Sequence, residues 1–189
     1  MSTELRGLLA RVVELLDAAE IPFMVAGSFA STAHGLPRTT QDLDLVIDPA
    51  GPAALSALLR SMPPAEYYVD ADAARDALER RTVFNVIDLA TGWKVDLIVR
   101  KERLFSREEF ARRMEITLLD VPVFVASPED TVVAKLEWSK LGGGSERQRR
   151  DVAGILATLG NALDRDYVER WVRDLGLADE WRAAQSASL

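Results

Sequence analysis

Three aspartates stand where acidic side chains are costly. Asp42 and Asp44 lie two residues apart in the segment DLDLVI, and Asp96 interrupts the apolar run WKVDLIV. Both segments have the alternation and the branched residues of strands, so Asp42 and Asp44 are expected to point to the same face. Two adjacent like charges need compensation. A divalent cation supplies it, and carboxylate oxygens favour Mg²⁺ or Mn²⁺. The three residues therefore predict a shared metal site.

The same residues also allow a plainer interpretation. Asp42 and Asp44 can be the solvated edge of an exposed strand, since an isolated Asp-x-Asp pattern is short and common. Asp96 can pair with Lys94, which is expected on the same face of its strand. A carboxylate in the middle of such a strand is costly unless it is paired or bound to a metal. The spacing leaves both alternatives open.

A Gly-Ser turn precedes the acidic strand. Gly27 and Ser28 follow the short apolar segment FMVAG, where a strand is predicted to give way to a helix. Backbone N–H groups at the start of a helix make a phosphate cradle. Glycine permits close approach and Ser28 adds a hydroxyl. Taken alone, a Gly-Ser pair at a turn is usually just a turn.

Alternating and helical periodicities predict an α+β chain. The expected helices cover 4–19, 29–34, 52–61, 71–80 and 106–113. The expected strands cover 23–27, 42–47, 66–70, 82–89 and 93–99, with two more within 114–125. A hairpin turn is predicted at 90–92. After Ser127, a good N-cap followed by Pro128, the chain is predicted to be helical to about residue 184, with breaks at glycines. We expect a core at 1–126 and a helical region at 127–189.

Composition narrows the class of protein. The 189 residues are 48 % hydrophobic, which suits one domain or a core with a helical appendage. No cysteine is present, so disulfides and thiolate metal sites are excluded, and the composition fits the cytoplasm. We expect no signal peptide and no membrane span. The net charge of −7 argues weakly against broad nucleic-acid binding. His34, the single histidine, is expected to be a packed or capping residue.

The run VAGSFASTAHGLPRTTQDLDLVI resembles the signature of the polymerase-β-like nucleotidyltransferase superfamily. That signature has a Gly-Ser turn, a short helix, an acid-x-acid strand and a third acid on a later strand. The lead-in PRTTQ, which contains Arg38, also resembles the Arg-x-Thr-x-Asp element of the superfamily. The resemblance implies a mixed β-sheet backed by helices, followed by a helical bundle.

A second run, ASPEDTVVAKLEWSKLGGGSERQRRDVAGIL, is similar to the helical part of AbiEii-type and other minimal bacterial nucleotidyltransferases. In those proteins a Pro-Glu-Asp helix start is followed by a lysine and then by an Arg-x-x-Asp-like helix. The matching positions are Lys135, Arg147 or Arg149, and Asp151.

The resemblance implies an enzyme that moves a nucleoside monophosphate from a nucleoside triphosphate to an acceptor hydroxyl, using two Mg²⁺ or Mn²⁺ ions. Asp42 and Asp44 would bind both metals, and Asp96 would bind one and take the acceptor's proton. Gly27 and Ser28 would hold phosphates, and Lys135 would contact the triphosphate. Arg38 would contact it too or only brace its loop. Lys135 is equally compatible with a snorkelling surface lysine.

The acceptor stays open at this stage. A toxin-like enzyme of a toxin–antitoxin pair would act on tRNA or protein. Aminoglycoside nucleotidyltransferases share the front motif and act on a small molecule. A third alternative, from another class, is a non-catalytic nucleotidyltransferase fold that serves as an antitoxin-like, partner-binding module.

Overall fold

The computed structural model describes residues 3–37, 39–40 and 42–187. They form two compact units. The first comprises Met1–Val25 and Thr40–Val125, and the second comprises Ala26–Thr39 and Ala126–Leu189. The second unit thus combines the segment 26–39 with the chain from Ala126 onward. That segment belongs to the second unit because its helix packs on helices of this unit.

A mixed sheet of seven strands forms the centre of the first unit. The strands are β1 (Phe23–Val25), β2 (Asp42–Ile47), β3 (Tyr67–Val69), β4 (Val83–Asp88), β5 (Lys94–Val99), β6 (Met114–Leu118) and β7 (Val121–Val125). Their order in the sheet is β3-β4-β5-β2-β1-β7-β6. The pairs β2–β5 and β1–β7 are parallel, and the other neighbours are antiparallel.

Alternation decides which side of each central strand is buried. Leu43 and Leu45 of β2, like Val95 and Leu97 of β5, are at most 1 % exposed. Their neighbours in sequence point to the opposite face, because successive side chains of a strand alternate. Burying these aliphatic side chains therefore fixes the direction of the polar residues between them. Shifting either strand by one residue would exchange the two faces.

Four helices of the first unit accompany this sheet. They are α1 (Thr3–Ala18), α3 (Pro52–Arg60), α4 (Ala71–Arg80) and α5 (Leu104–Ala111). Helix α1 contacts β7 and α3, and α4 contacts β4 and β5. Arg11 of α1 donates a hydrogen bond of 2.9 Å to the buried Asp88, which also accepts from Thr91 in the β4–β5 hairpin. This ion pair connects α1 to the end of β4.

The second unit is helical. It contains α2 (Gly27–His34), α6 (Pro128–Leu141), α7 (Glu146–Leu159), a 3₁₀ turn (Gly160–Ala162), α8 (Arg165–Asp174) and α9 (Ala178–Gln185). Helix α6 contacts each of the four other α-helices. Its Ser127 cap accepts from the backbone N–H of Asp130, and Pro128 opens the first turn, as predicted.

Buried polar groups connect α6 to α8. Asp130 is fully buried, and its carboxylate accepts from the hydroxyls of Ser127 at 2.6 Å and Tyr167 at 2.5 Å. Glu129 accepts from the backbone N–H of Asp164 at 3.2 Å. A buried carboxylate is tolerated only when its lone pairs are satisfied. The Pro-Glu-Asp helix start therefore has a structural function inside this unit.

Gly35 allows a close approach between α2 and α7. A Cβ at this position would lie 2.9 Å from the backbone nitrogen of Ile155 and 3.1 Å from the carbonyl carbon of Gly154. Real Cβ atoms do not come this close to backbone atoms, so any larger residue would force the two segments apart. Only glycine closes α2 at this distance from α7.

The sequence-based elements are confirmed with shifts of no more than two residues at their ends. The fold class is α+β, as predicted, with a mixed sheet, helices beside it and a helical C-terminal part. Leu119 and Asp120, with φ of 54° and 61°, make the two-residue turn between the last two strands. Among the described residues, none of the helices is both long and apolar enough to span a bilayer.

His34 ends α2 and is partly buried, as expected for a packed residue. Its Nε2 donates to the carbonyl oxygen of Ala126 at 2.7 Å. Burial lowers the pKa of His34, against smaller raising effects of that hydrogen bond and of the charge of Glu129. The neutral imidazole is therefore the form that the fold prefers.

This preference predicts a pH dependence of stability. The unfolded imidazole has a pKa of about 6.5, so below that pH the unfolded chain binds more protons than the folded one. The stabilisation of the fold by neutral His34 is therefore complete above the unfolded pKa. It is lost as the pH falls through the lowered pKa of the folded state. The expected loss of unfolding free energy in urea is below about 1.4 kcal/mol per pH unit. His34→Gln should flatten the profile between pH 7.5 and 5.5, and an unchanged slope would contradict the assignment.

Candidate active site

Four charged residues form a two-by-two block on one face of the sheet. In the parallel pair β2–β5, Asp42 lies in register with Lys94, and Asp44 lies in register with Asp96. All four alternate with buried aliphatic residues and are themselves partly exposed. Neighbouring strands run about 4.8 Å apart. The predicted convergence of Asp96 on the Asp-x-Asp pair is therefore present at the level of backbone register.

Asp96 is held from two sides. The ammonium of Lys94 lies 2.9 Å from one of its carboxylate oxygens. The side-chain amide of Asn85 donates to the other oxygen, and Asn85 is in register with Asp96 on the antiparallel strand β4. Asn85, Asp96 and Asp44 thus form one row across β4, β5 and β2. The structure therefore contains the ion pair between Asp96 and Lys94 that the sequence left open as an alternative to a metal.

Asp42 is held by a residue that lies two positions before its strand begins. The hydroxyl of Thr40 donates to a carboxylate oxygen of Asp42 at 2.6 Å. Such a short side-chain link two residues along the chain fixes the rotamer of an acidic side chain at a strand start. Thr40 therefore orients the first acid of the block.

The block has an excess of negative charge that affects its one cation. The pKa of Lys94 is raised, first by its hydrogen bond to Asp96. Desolvation opposes this, and the charges of Asp96, Asp42 and Asp44 add to the rise. All three carboxylates thus stabilise the same ammonium.

The donor set suits a divalent ion by its chemistry. Three carboxylates on adjacent strands offer the hard oxygen ligands that Mg²⁺ and Mn²⁺ prefer. In residues 3–37, 39–40 and 42–187 no three acidic or histidine side chains are assembled as a metal-binding group. Asp96 is instead directed to Lys94 and Asn85. The three carboxylates therefore fit the metal by the chemistry of their oxygens.

Gly27 and Ser28 form the start of α2, two residues after β1 ends at Val25. Gly27 has a φ of 56°, which side-chain-bearing residues rarely adopt, and this explains glycine at the turn. Ser28 is buried, and its carbonyl accepts from the Ser31 hydroxyl at 3.0 Å. Both residues belong to the second unit, whereas the carboxylates belong to the first. Their phosphate-binding role remains a prediction.

Lys135 is not a surface lysine. Its side chain is 5 % exposed, and its ammonium lies 2.7 Å from the carboxylate of Asp151, which is 7 % exposed. The snorkelling interpretation is wrong, because α7 supplies a buried acid opposite α6. Contact between Lys135 and a triphosphate remains a prediction. Arg38, the other predicted triphosphate contact, lies outside the described residues.

Sequence reasoning missed two side chains that hold the acids. Asn85 was not distinguishable in VFNVID, because nothing local shows which residue of the next strand it faces. The sequence nevertheless contained a signal. Asn85 alternates with Phe84 and Val86, which are apolar and buried, so its side chain points to the opposite, more exposed face of β4. Thr40 appeared only as part of the lead-in motif, and its bond to Asp42 gives that motif position a physical role.

Comparison with solved structures bears on this fold. The antibiotic-resistance factor ANT(2″)-Ia superposes with a TM-score of 0.60 at 15 % identity, covering 96 % of this chain and 98 % of that one. An antigenic nucleotidyltransferase-like protein from Paracoccidioides brasiliensis superposes with a TM-score of 0.58 at 18 % identity, covering 100 % and 94 %. The chain has a nucleotidyltransferase fold.

A third structure with this nucleotidyltransferase fold is the lincosamide adenylyltransferase LnuA with lincomycin bound. It has a TM-score of 0.53 at 10 % identity and covers 78 % of this chain and 93 % of that one. A further structure of ANT(2″)-Ia holds adenylyl-2″-tobramycin. No protein-family model matches the chain, and no curated protein matches its sequence.

The buried Lys135–Asp151 pair gives a stability prediction for the nucleotidyltransferase fold. Asp151→Asn removes the negative charge that lies 2.7 Å from the buried Lys135 ammonium, and breaking a buried ion pair costs about 3–5 kcal/mol. Glu146→Gln is the matched control, because it removes the exposed pair with Arg150 on the same helix. That pair is worth about 0.5 kcal/mol or less. Urea unfolding measures both variants, and equal effects would contradict the role of burial.

Proposed function

We propose that this chain is a metal-dependent nucleotidyltransferase that moves a nucleoside monophosphate from a nucleoside triphosphate to an acceptor hydroxyl. The observation that carries the proposal is the register of Asp44 with Asp96, which brings the third acid to the face of Asp42 and Asp44. The nucleotidyltransferase fold supports it.

In the proposed reaction, the acceptor oxygen forms a bond to the α-phosphorus while the bond from that phosphorus to pyrophosphate breaks. Asp42, Asp44 and Asp96 would hold Mg²⁺ or Mn²⁺. Bound divalent ions stabilise the attacking and leaving oxygens and the charge of the triphosphate. Rate enhancement in such transfers comes mostly from positioning and charge stabilisation.

The chain's own groups have distinct tasks in this proposal. Asp96 takes the proton of the acceptor hydroxyl, since it lies in the row that Asn85 keeps oriented. Thr40 holds Asp42 in its rotamer. Gly27 and Ser28 bind phosphates at the start of α2, where backbone N–H groups favour anions. Lys135 adds positive charge for the triphosphate.

A small-molecule hydroxyl is the acceptor that we propose. The net charge of −7 opposes the dense phosphate backbone of RNA. ANT(2″)-Ia and LnuA, with similar folds, are described with tobramycin and lincomycin products or ligands. A toxin-like role, with tRNA or protein as acceptor, rested partly on the Pro-Glu-Asp helix start. Glu129 and Asp130 instead have bonds within the second unit that account for their identity.

The alternative class is a non-catalytic, antitoxin-like binding module. It is favoured by one observation, the ion pair in which Lys94 already satisfies Asp96. If the ion pair between Lys94 and Asp96 is permanent, the three carboxylates do not bind a metal ion. Lys94 is 44 % exposed, however, so its ammonium has a route to solvent. This route supports the catalytic alternative.

Label transfer tests the proposal. The purified chain is incubated with each α-labelled triphosphate, Mg²⁺, and either total RNA or a panel of hydroxyl-bearing small molecules including aminoglycosides and lincosamides. Asp42→Ala, Asp44→Ala and Asp96→Ala should each nearly abolish transfer, because each removes a metal-binding carboxylate. Losses smaller than about tenfold, or 1.4 kcal/mol of transition-state stabilisation, would contradict the assignment.

Asp120→Asn is the matched control for these variants. The variant removes one exposed carboxylate from a β-turn, where Asn tolerates a positive φ. Among the described residues, the ion-pair partner of Asp120 is Arg6, at 3.8 Å. Transfer should remain at the wild-type level. Label in RNA alone would overturn the small-molecule acceptor, and absence of transfer to every acceptor would favour the binding module.

A further inference from the structure

Lys94 occupies a singular place among the acids. It lies in register with Asp42, two residues from Asp96 on the same strand, and diagonally across from Asp44. Its ammonium is 2.9 Å from Asp96. The remaining residue that faces it across β4 is Ile87, which carries no charge. Within the described parts of these three strands, Lys94 is the only cation on this face of the block.

We propose that the ammonium of Lys94 is an internal counter-cation, which compensates the three carboxylates in the metal-free protein and is displaced when a divalent cation binds. The proposal rests on the proposed function, because it assumes that Asp42, Asp44 and Asp96 are metal ligands. It assigns Lys94 a positioning and competing role that neither the fold nor the register requires.

Charge balance makes the two cations competitors. Carboxylates fixed on adjacent strands repel one another, and in the metal-free protein Lys94 offsets that repulsion. A divalent ion on the same oxygens offsets it more completely and repels the ammonium. The ammonium of Lys94 lies against one of the Asp96 oxygens that a metal would use, and two cations this close repel each other. Metal binding is therefore favoured when the Lys94 ammonium moves away.

The Lys94 side chain can move from Asp96 into solvent at a low cost in free energy. Lysine has a long flexible stem and a strongly hydrated point charge, so its release to water costs little beyond the ion pair itself. Its 44 % exposure means that no packed layer has to open. Asn85 still donates to the other oxygen of Asp96 after Lys94 has gone, so the carboxylate keeps one fixed donor. The exchange then changes the cation while one orienting contact is retained.

Manganese binding and metal-free stability test this directly. Lys94→Met keeps the aliphatic length and removes the charge. In EDTA we expect a lower melting temperature than wild type, because the carboxylates lose their counter-cation. Titrated with Mn²⁺ and followed by the electron paramagnetic resonance of the free ion, K94M should bind at least tenfold more tightly. Saturating Mn²⁺ should remove the difference in melting temperature.

Two controls isolate the position and the charge. Lys101→Met removes an exposed positive charge two residues beyond the end of β5, and it should bind Mn²⁺ as wild type does. Lys94→Arg keeps a cation at the site and should restore the metal-free melting temperature. Equal or weaker Mn²⁺ binding by K94M, or binding by neither protein, would overturn the proposal. Tighter binding by K94M without label transfer from any triphosphate would uphold it and count against the proposed function alone.

Discussion

Strand register brings like charges together at a spacing they cannot change. Asp42, Asp44 and Asp96 project from two hydrogen-bonded strands, so repulsion between them cannot be relieved by moving apart without breaking the ladder. The compensation has to come from other groups. Lys94 supplies a positive charge beside Asp96, and Asn85 and Thr40 donate hydrogen bonds to Asp96 and Asp42.

The core and the site satisfy one geometric condition together. Leu43, Leu45, Val95 and Leu97 are buried on the face opposite the acids. Burying each of these four side chains stabilises the fold by about 1.5–3 kcal/mol. Together these contributions outweigh the cost of keeping partly exposed carboxylates near one another. A one-residue slip would bury the acids and expose the leucines. The hydrophobic face thus enforces the arrangement that makes the polar face useful.

The helical unit solves a different electrostatic problem, since three charged residues of its helix α6 are buried. Asp130, Glu129 and Lys135 lie on α6, and each has a partner on another element of the same unit. Such contacts specify how the helices pack, because a wrong arrangement would leave a charge buried and unsatisfied. Residues of this chain that resemble functional positions of nucleotidyltransferases therefore have packing roles within the helical unit. These contacts account for Glu129, Asp130 and Lys135 without a ligand.

The sequence by itself determined the elements, the α+β class and the common direction of Asp42 and Asp44. These follow from periodicity and turn residues, which act between neighbours in the chain. Only the tertiary structure decided that Asp44 faces Asp96, that Asn85 orients it, and that Lys135 is buried against Asp151. Strand partners and buried ion pairs depend on contacts between distant segments. Local spacing carries no record of them, because the same alternation is compatible with several neighbours in a sheet.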